Sequence, residues 1–144
     1  MQVTTYSAAA TTLVYMGHVF GGFADGEDVI SVARGKDAVN MTIGMQGDAV
    51  FSQTTDKSGT ITVKLLAGSA TNEFLNKKAQ ATDAGTLAIG DLIISEVGTE
   101  AGVSAEKCII QKIPDYGRGE TAKTVEWVFL SPKVQVKHDA GVEV

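Results

Sequence analysis

The sequence predicts a mainly β fold, an antiparallel sandwich or barrel flanked by one mid-chain helix. Three observations carry this. Apolar and polar residues alternate through about seven or eight short segments, Gly and Asp punctuate them at hairpin spacing, and only one stretch changes to a helical period. The chain has 144 residues, which suits a single domain with one core, expected to span residues 1–144.

Thr12–Phe20 (TLVYMGHVF) is β-branched and aromatic and reads as one strand, followed by a turn or exposed loop in GGFADGED. Asp28–Arg34 and Ala38–Gly44 read as two strands joined by the hairpin-length GKD. In the second, Val39, Met41 and Ile43 share one face, and Asn40 and Thr42 the other. Val50–Thr54 is a short strand, and TDKSG leads into Thr60–Leu66, where Ile61, Val63 and Leu65 oppose Thr60, Thr62 and Lys64. The spacing of Ala70, Phe74, Leu75 and Ala79 then predicts a helix over 70–81, with Ser69 as N-cap, Glu73 in the first turn and Gly85 beyond its end. Strand patterns resume at Leu92–Val97, Ala105–Ile113 and Ala122–Leu130, the last two joined by the turn-rich PDYGRGE. The tail from Pro132 keeps some alternation. Trp127 and Phe129 read as core, with Glu126 between Val125 and Trp127 pointing away from it.

Composition excludes several classes. Hydrophobic residues make up 44% and charged residues 20%, and mean hydropathy is +0.09, a globular balance. Seventeen acidic against twelve basic residues give a net charge of −5, and the ten Lys are scattered with only two Arg, Arg34 and Arg118. That argues against gripping nucleic acid by phosphate neutralisation. One Cys excludes an intrachain disulfide framework. No apolar run reaches the ~18 residues of a membrane span, so no membrane insertion is expected. The N-terminal stretch lacks the basic start of a signal peptide, so no export is expected.

The residues offer little chemistry. His18 lies in an apolar strand and His138 in the tail, with no ligand spacing between them, and both read as satisfied or solvent-facing. Cys108 reads as a small buried hydrophobe. The acids Asp25, Glu27 and Asp28 miss the EF-hand spacing and read as a solvated loop, and GGFADGED matches no phosphate-binding motif. DYGRGE (Asp115–Glu120) is a hairpin turn or, as the sharper alternative, a partner-contact loop. The sequon Asn40-Met-Thr42 is discounted without a sign of secretion. No catalytic residue, cofactor or metal is expected, which favours a structural or binding module over an enzyme.

Three stretches change the weight. Met41–Val50 (MTIGMQGDAV), Lys57–Leu75 (KSGTITVKLLAGSATNEFL) and Thr124–Phe129 (TVEWVF) resemble, in order and spacing over roughly residues 5 to 130, the tail tube proteins of contractile-tailed bacteriophages. These are of small β-sandwich type and related to the inner tube of type VI secretion systems. The resemblance implies a structural, non-enzymatic virion subunit, assembled in the host cytoplasm into homohexameric rings stacked as a tube. Each copy would join its neighbours in a ring-shaped inner β-barrel, and DNA would pass through to the host without specific binding. Expected partners are further copies, sheath, tape measure, and baseplate or tail-terminator proteins; the alternative is a tube-initiating hub or a type VI-like tube protein of the same fold. Six copies of about four strands, ~4.8 Å apart and tilted ~40°, give a backbone radius of roughly 24 Å and a bore of roughly 36 Å. A duplex about 20 Å across fits. An acidic bore would repel phosphate. Under this reading Asn40, Thr42, Thr60, Thr62, Lys64 and Glu126 are candidates to face the bore, with half of an intersubunit pair as the alternative for Glu126. Gly22, Asp25, Glu27, Gln46, Asp48, Asp56, Tyr116 and Arg118, in the loops Gly21–Glu27, Gly44–Ser58 and Asp115–Glu120, are candidates for ring-to-ring contact.

Overall fold

In a computed structural model, residues 4–5, 11–24, 29–96, 101–117, 123–138 and 142–143 are described. They form twelve strands and one helix: β1 (Thr4–Thr5), β2 (Thr11–Tyr15), β3 (His18–Val19), β4 (Ile30–Arg34), β5 (Val39–Ile43), β6 (Ala49–Gln53), β7 (Gly59–Leu66), α1 (Ala70–Asp83), β8 (Gly90–Glu96), β9 (Gly102–Ile110), β10 (Thr124–Ser131), β11 (Lys133–Lys137) and β12 (Val142–Glu143). The predicted class, mainly antiparallel β with one helix in a sandwich-like arrangement, is the observed one.

The strand order is β3-β2-β8-β9-β10-β7-β4, with β11 also paired to β9, all antiparallel. The path folds into two layers because β9 belongs to both. Its first half, Gly102–Glu106, pairs with β11, and Ile109 and Ile110 pair with β10. The corner is a bulge. Gly90 faces Cys108 and Leu92 faces Ala105, so Glu106 and Lys107 together oppose Asp91. Lys107 takes φ 53°, uncommon for a side-chain-bearing residue, and its N–H donates to Asp91 Oδ1 at 3.1 Å. Ser131 secures the parallel corner from β10 into β11, donating to the Glu106 carbonyl (2.7 Å) and accepting from the Lys133 N–H (3.3 Å).

The inward faces of the layers make the core. Leu13, Tyr15, Leu92 and Val134 from one layer meet Ile61, Val63, Leu65 and Phe129 from the other, all without exposed surface. Tyr15 packs edge-on to Phe129 at 5.0 Å and donates to the Cys108 carbonyl at 3.1 Å, which satisfies its hydroxyl inside the core. Cys108 is itself buried and free, as read from the sequence.

Helix α1 covers the N-terminal strands. Ser69 Oγ accepts from the Thr71 N–H (3.3 Å) and donates to the Gly21 carbonyl (2.6 Å), so the predicted cap also ties the helix to the segment after β3. At the other end Thr86 N–H reaches Ala81 O, Gly85 N–H reaches Thr82 O, and Gly85 takes φ 98°, a Schellman closure. The buried helix residues are Thr71, Leu75 and Ala79, whereas Ala70 is exposed, a correction to the predicted face. Thr71 is buried because its hydroxyl accepts from the Gly21 N–H (3.1 Å) and lies 3.2 Å from His18 Nε2. His18 stacks on Phe74 at 4.3 Å, so it is a satisfied, half-buried histidine.

Two sequence readings are overturned. Thr12–Phe20 is not one strand but a tight hairpin, β2–β3, turning at Met16 (φ 51°) and Gly17 (φ 82°), the two positive φ values that suit a two-residue hairpin turn. GKD does not join a hairpin either: β4 pairs with β7, and β5 with β6. β4–β5 and β6–β7 are instead the two sides of one long ribbon, kinked at residues 35–38 and 54–58.

Candidate assembly surfaces

The first surface is the outer face of the β9–β10–β7–β4 layer. Alternation in β7 sends Ile61, Val63 and Leu65 into the core and Thr60, Thr62 and Lys64 outward. β10 lies beside it in register, with Leu130 opposite Thr60, Val128 opposite Thr62 and Glu126 opposite Lys64. On the other side Ser31 of β4 stands opposite Thr62. Four of the six candidate bore-facing residues, Thr60, Thr62, Lys64 and Glu126, are therefore brought together. Glu126 and Lys64 are directly opposed and their charges cancel, so these four residues are neutral rather than acidic. Leu66 and Leu130, at 41% and 38% exposure, interrupt the polar pattern.

Asn40 and Thr42 are not on this face. They lie on β5, which with β6 forms a separate two-stranded sheet, opposite Ser52 and Val50. Val39, Met41 and Ile43, which alternation assigns to an inward face, join Phe51 on the other face of this sheet and are themselves exposed at 51%, 59% and 54%. The sheet is an arm with both faces open, because the ribbon bends away from the core at its root. The bend is built from short polar contacts. Asp56 Oδ1 accepts from the Ser58 N–H (2.9 Å), Thr54 Oγ1 accepts from the Asp56 N–H (3.1 Å), and Lys36 Nζ stands 3.5 Å from Asp56 Oδ2. The hydrogen bonding from Ser58, then Lys36, holds the Asp56 carboxyl below its ordinary value. Asp56 thus fixes the arm's root rather than forming part of a loop tip.

Among the other loop candidates, Gln46 and Asp48 sit at the exposed arm tip, where the Gly44 N–H donates to the Asp48 carbonyl at 2.7 Å. Tyr116 is 84% exposed in the β9–β10 connection. Gly22 is exposed but anchored: its carbonyl accepts from the Leu66 N–H at 2.8 Å, and a Cβ there would collide with Ser69. Asp25, Glu27 and Arg118 lie outside the described residues.

A further exposed apolar stripe went unread in the sequence. On the outer face of the other layer, Val14 stands opposite both Val19 and Ile93, and Val19 and Ile93 are 60% and 51% exposed. The one signal for it is that TLVYMGHVF carries apolar residues in both phases of the alternation. Among the described residues no group of three or more His, Cys, Asp or Glu converges as a metal site, and no helix is long and apolar enough to cross a membrane.

No curated protein matches in sequence. The fold is shared with solved contractile machines. One is the sheath/tube terminator of an extracellular contractile injection system, PVC, in the extended state (TM-score 0.65, 11% identity, 93% of this chain and 97% of that one). A second is the sheath-tube complex of the same system (TM-score 0.65, 9% identity, 94% and 93%). A third is the tube-terminating cap of the anti-feeding prophage (TM-score 0.62, 11% identity, 95% and 95%). The family model for the bacteriophage PhiTE tail tube protein matches residues 3–138. Over nearly its whole length, then, the chain belongs to the PhiTE-type tail tube family, structural components of the phage virion tail.

Proposed function

We propose that this chain is the non-enzymatic repeating subunit of a contractile tail's tube, closing into homohexameric rings that stack around a bore through which DNA leaves the particle. The observation that carries this reading is the β9–β10–β7–β4 layer. Its inner face is the core, its outer face sets Thr60, Thr62, Lys64 and Glu126 side by side, and it ends in the edge strand β4. An edge strand is a template for pairing with another copy. Six four-stranded layers supply the ~24 strands of a barrel wide enough for a duplex.

Such a wall passes DNA without holding it. Hydroxyls and an opposed Lys–Glu pair give phosphate no uncompensated cation, and the remaining charge, −5 per chain, adds long-range repulsion. Asn40 and Thr42 serve on the arm rather than on the wall. Ring-to-ring contacts fall to the arm tip at Gln46 and Asp48 and to the loop bearing Tyr116, with Gly22 and Asp56 supporting rather than touching. Sheath would surround the tube, tape measure protein would fill it during assembly in the host cytoplasm, and baseplate and terminator proteins would close its ends.

A tube-end component is the second reading, favoured by the terminator and cap among the structural neighbours. Electron microscopy of purified protein separates the two: long hollow filaments support the tube, and isolated rings the end piece. Glu126→Lys tests the bore face. Tubes should still form, and genome release should slow in a salt-dependent manner. Unchanged release at low salt would remove that face from the bore.

A further inference from the structure

We infer that the end of the β9–β10–β7–β4 layer nearest the arm root binds an acidic, extended segment of another protein, with carboxylates at every second residue. This goes beyond the tube reading and concerns only what a single subunit can hold. Cations that are scattered along the sequence are gathered here by the fold. Arg34 ends β4 opposite Gly59, Lys57 and Lys133 stand side by side across a parallel bridge, and Lys107 sits in the bulge of β9. Among the described residues none of these four has an ion-pair partner, whereas Lys36 nearby is taken by Asp56. Like charges set beside each other, as in Lys57 and Lys133, repel and favour an anion between them.

Lys107 supplies a second observation. With Gly35, Ser58, Gly59, Leu130 and Pro132 it lines an open depression of about 360 Å³, where it is the sole charged side chain among the described residues. Its φ of 53° is one that glycine adopts more readily. A lysine kept there at a backbone cost points to a use for its side chain. The neighbouring acids lie outside the lining: Asp91 accepts the Lys107 N–H, Glu106 stands opposite Lys133, and Asp37 follows Lys36.

Size and spacing select the partner. The depression admits side chains of an extended segment but not a duplex about 20 Å across, whose phosphates would also meet the chain's net charge of −5. From β4 to β9 there are three strand spacings, about 14 Å, and an extended chain covers the same distance between residues i and i+4. Acids at i, i+2 and i+4 therefore match Arg34, the Lys57–Lys133 pair and Lys107 in turn.

An NMR titration of the full-length subunit with the peptide acetyl-Glu-Ser-Glu-Ser-Glu-amide tests this. The amide signals of Gly35, Ser58, Thr60 and Lys107 should shift together, less so as salt rises, and the same peptide with Gln for Glu should leave them in place. Lys107→Gly removes the cation and relieves the backbone, so it should melt no lower than the parent while binding about threefold more weakly. Adding Arg34→Gln should bring the loss to roughly tenfold, whereas Lys78→Gln, on helix α1, should change nothing. Equal shifts with the Gln peptide, or unchanged binding to the Lys107→Gly variant, would overturn the inference. So would a short DNA duplex that displaces the peptide. Concentration-dependent shifts of the same amides without peptide, abolished by Arg34→Gln, would assign the patch to a second copy and overturn it as well.

Discussion

The base and the arm of the central ribbon carry nearly the same sequence pattern and meet opposite fates. In the base, β7 alternates Thr60, Thr62 and Lys64 with Ile61, Val63 and Leu65, and the apolar three lose all exposed surface. In the arm, β5 alternates Asn40 and Thr42 with Val39, Met41 and Ile43, and the apolar three stay at least half exposed. Alternation specifies that a face exists, not what covers it. The base finds its cover in its own chain, and the arm does not.

That contrast can be broken by charge. Val63→Asp should give no folded protein, since it buries a carboxylate with no partner at the centre of the core. Met41→Asp, the same kind of change on the arm, should leave thermal stability of the isolated subunit within about 0.5 kcal/mol. Equal losses in thermal melts of the two variants would mean that the arm packs on its own subunit. A middle-sized effect is expected where base meets arm. A Cβ at Gly59 would collide with the Ala33 carbonyl across the β4–β7 ladder, so Gly59→Ala should cost about 1–3 kcal/mol in a denaturant titration. The smallest effect sharpens the comparison most. Asp56, held below its ordinary carboxyl value of 3.8 by Ser58 and Lys36, stabilises the arm root fully above that value and loses its contribution as pH falls through the lowered one. The protection factor of the Ser58 amide should fall below pH 3.8, while those of the β7 core amides change less.

Much of the fold was legible because its signals are local. β7, the helix and its caps at Ser69 and Gly85 follow from spacing over a few residues. Pairing is not local. The GKD stretch has hairpin length, yet β4 finds its partner in β7, some thirty residues on, where Ile61 and Val63 stand opposite Val32 and Ile30. The turn at Met16–Gly17 was hidden by a methionine in a conformation that favours glycine. Thr71 was hidden because its burial depends on hydrogen bonds with His18 and Gly21, fifty or more residues away. The candidate site divided along the same line. Thr60, Thr62, Lys64 and Glu126 share a face that alternation alone assigns, whereas Asn40 and Thr42 were separated from them by a bend at GKD and TDKSG, stretches that mark a break in the strands but not the direction in which the ribbon leaves the core.

The corner in β9 has a mechanical meaning. Because a single strand threads both layers through the bulge at Lys107, a pull on either layer reaches the other along covalent bonds, not only through van der Waals contact. A subunit built this way resists shear between its walls even where side-chain packing slips, a useful property in the tube subunit proposed above.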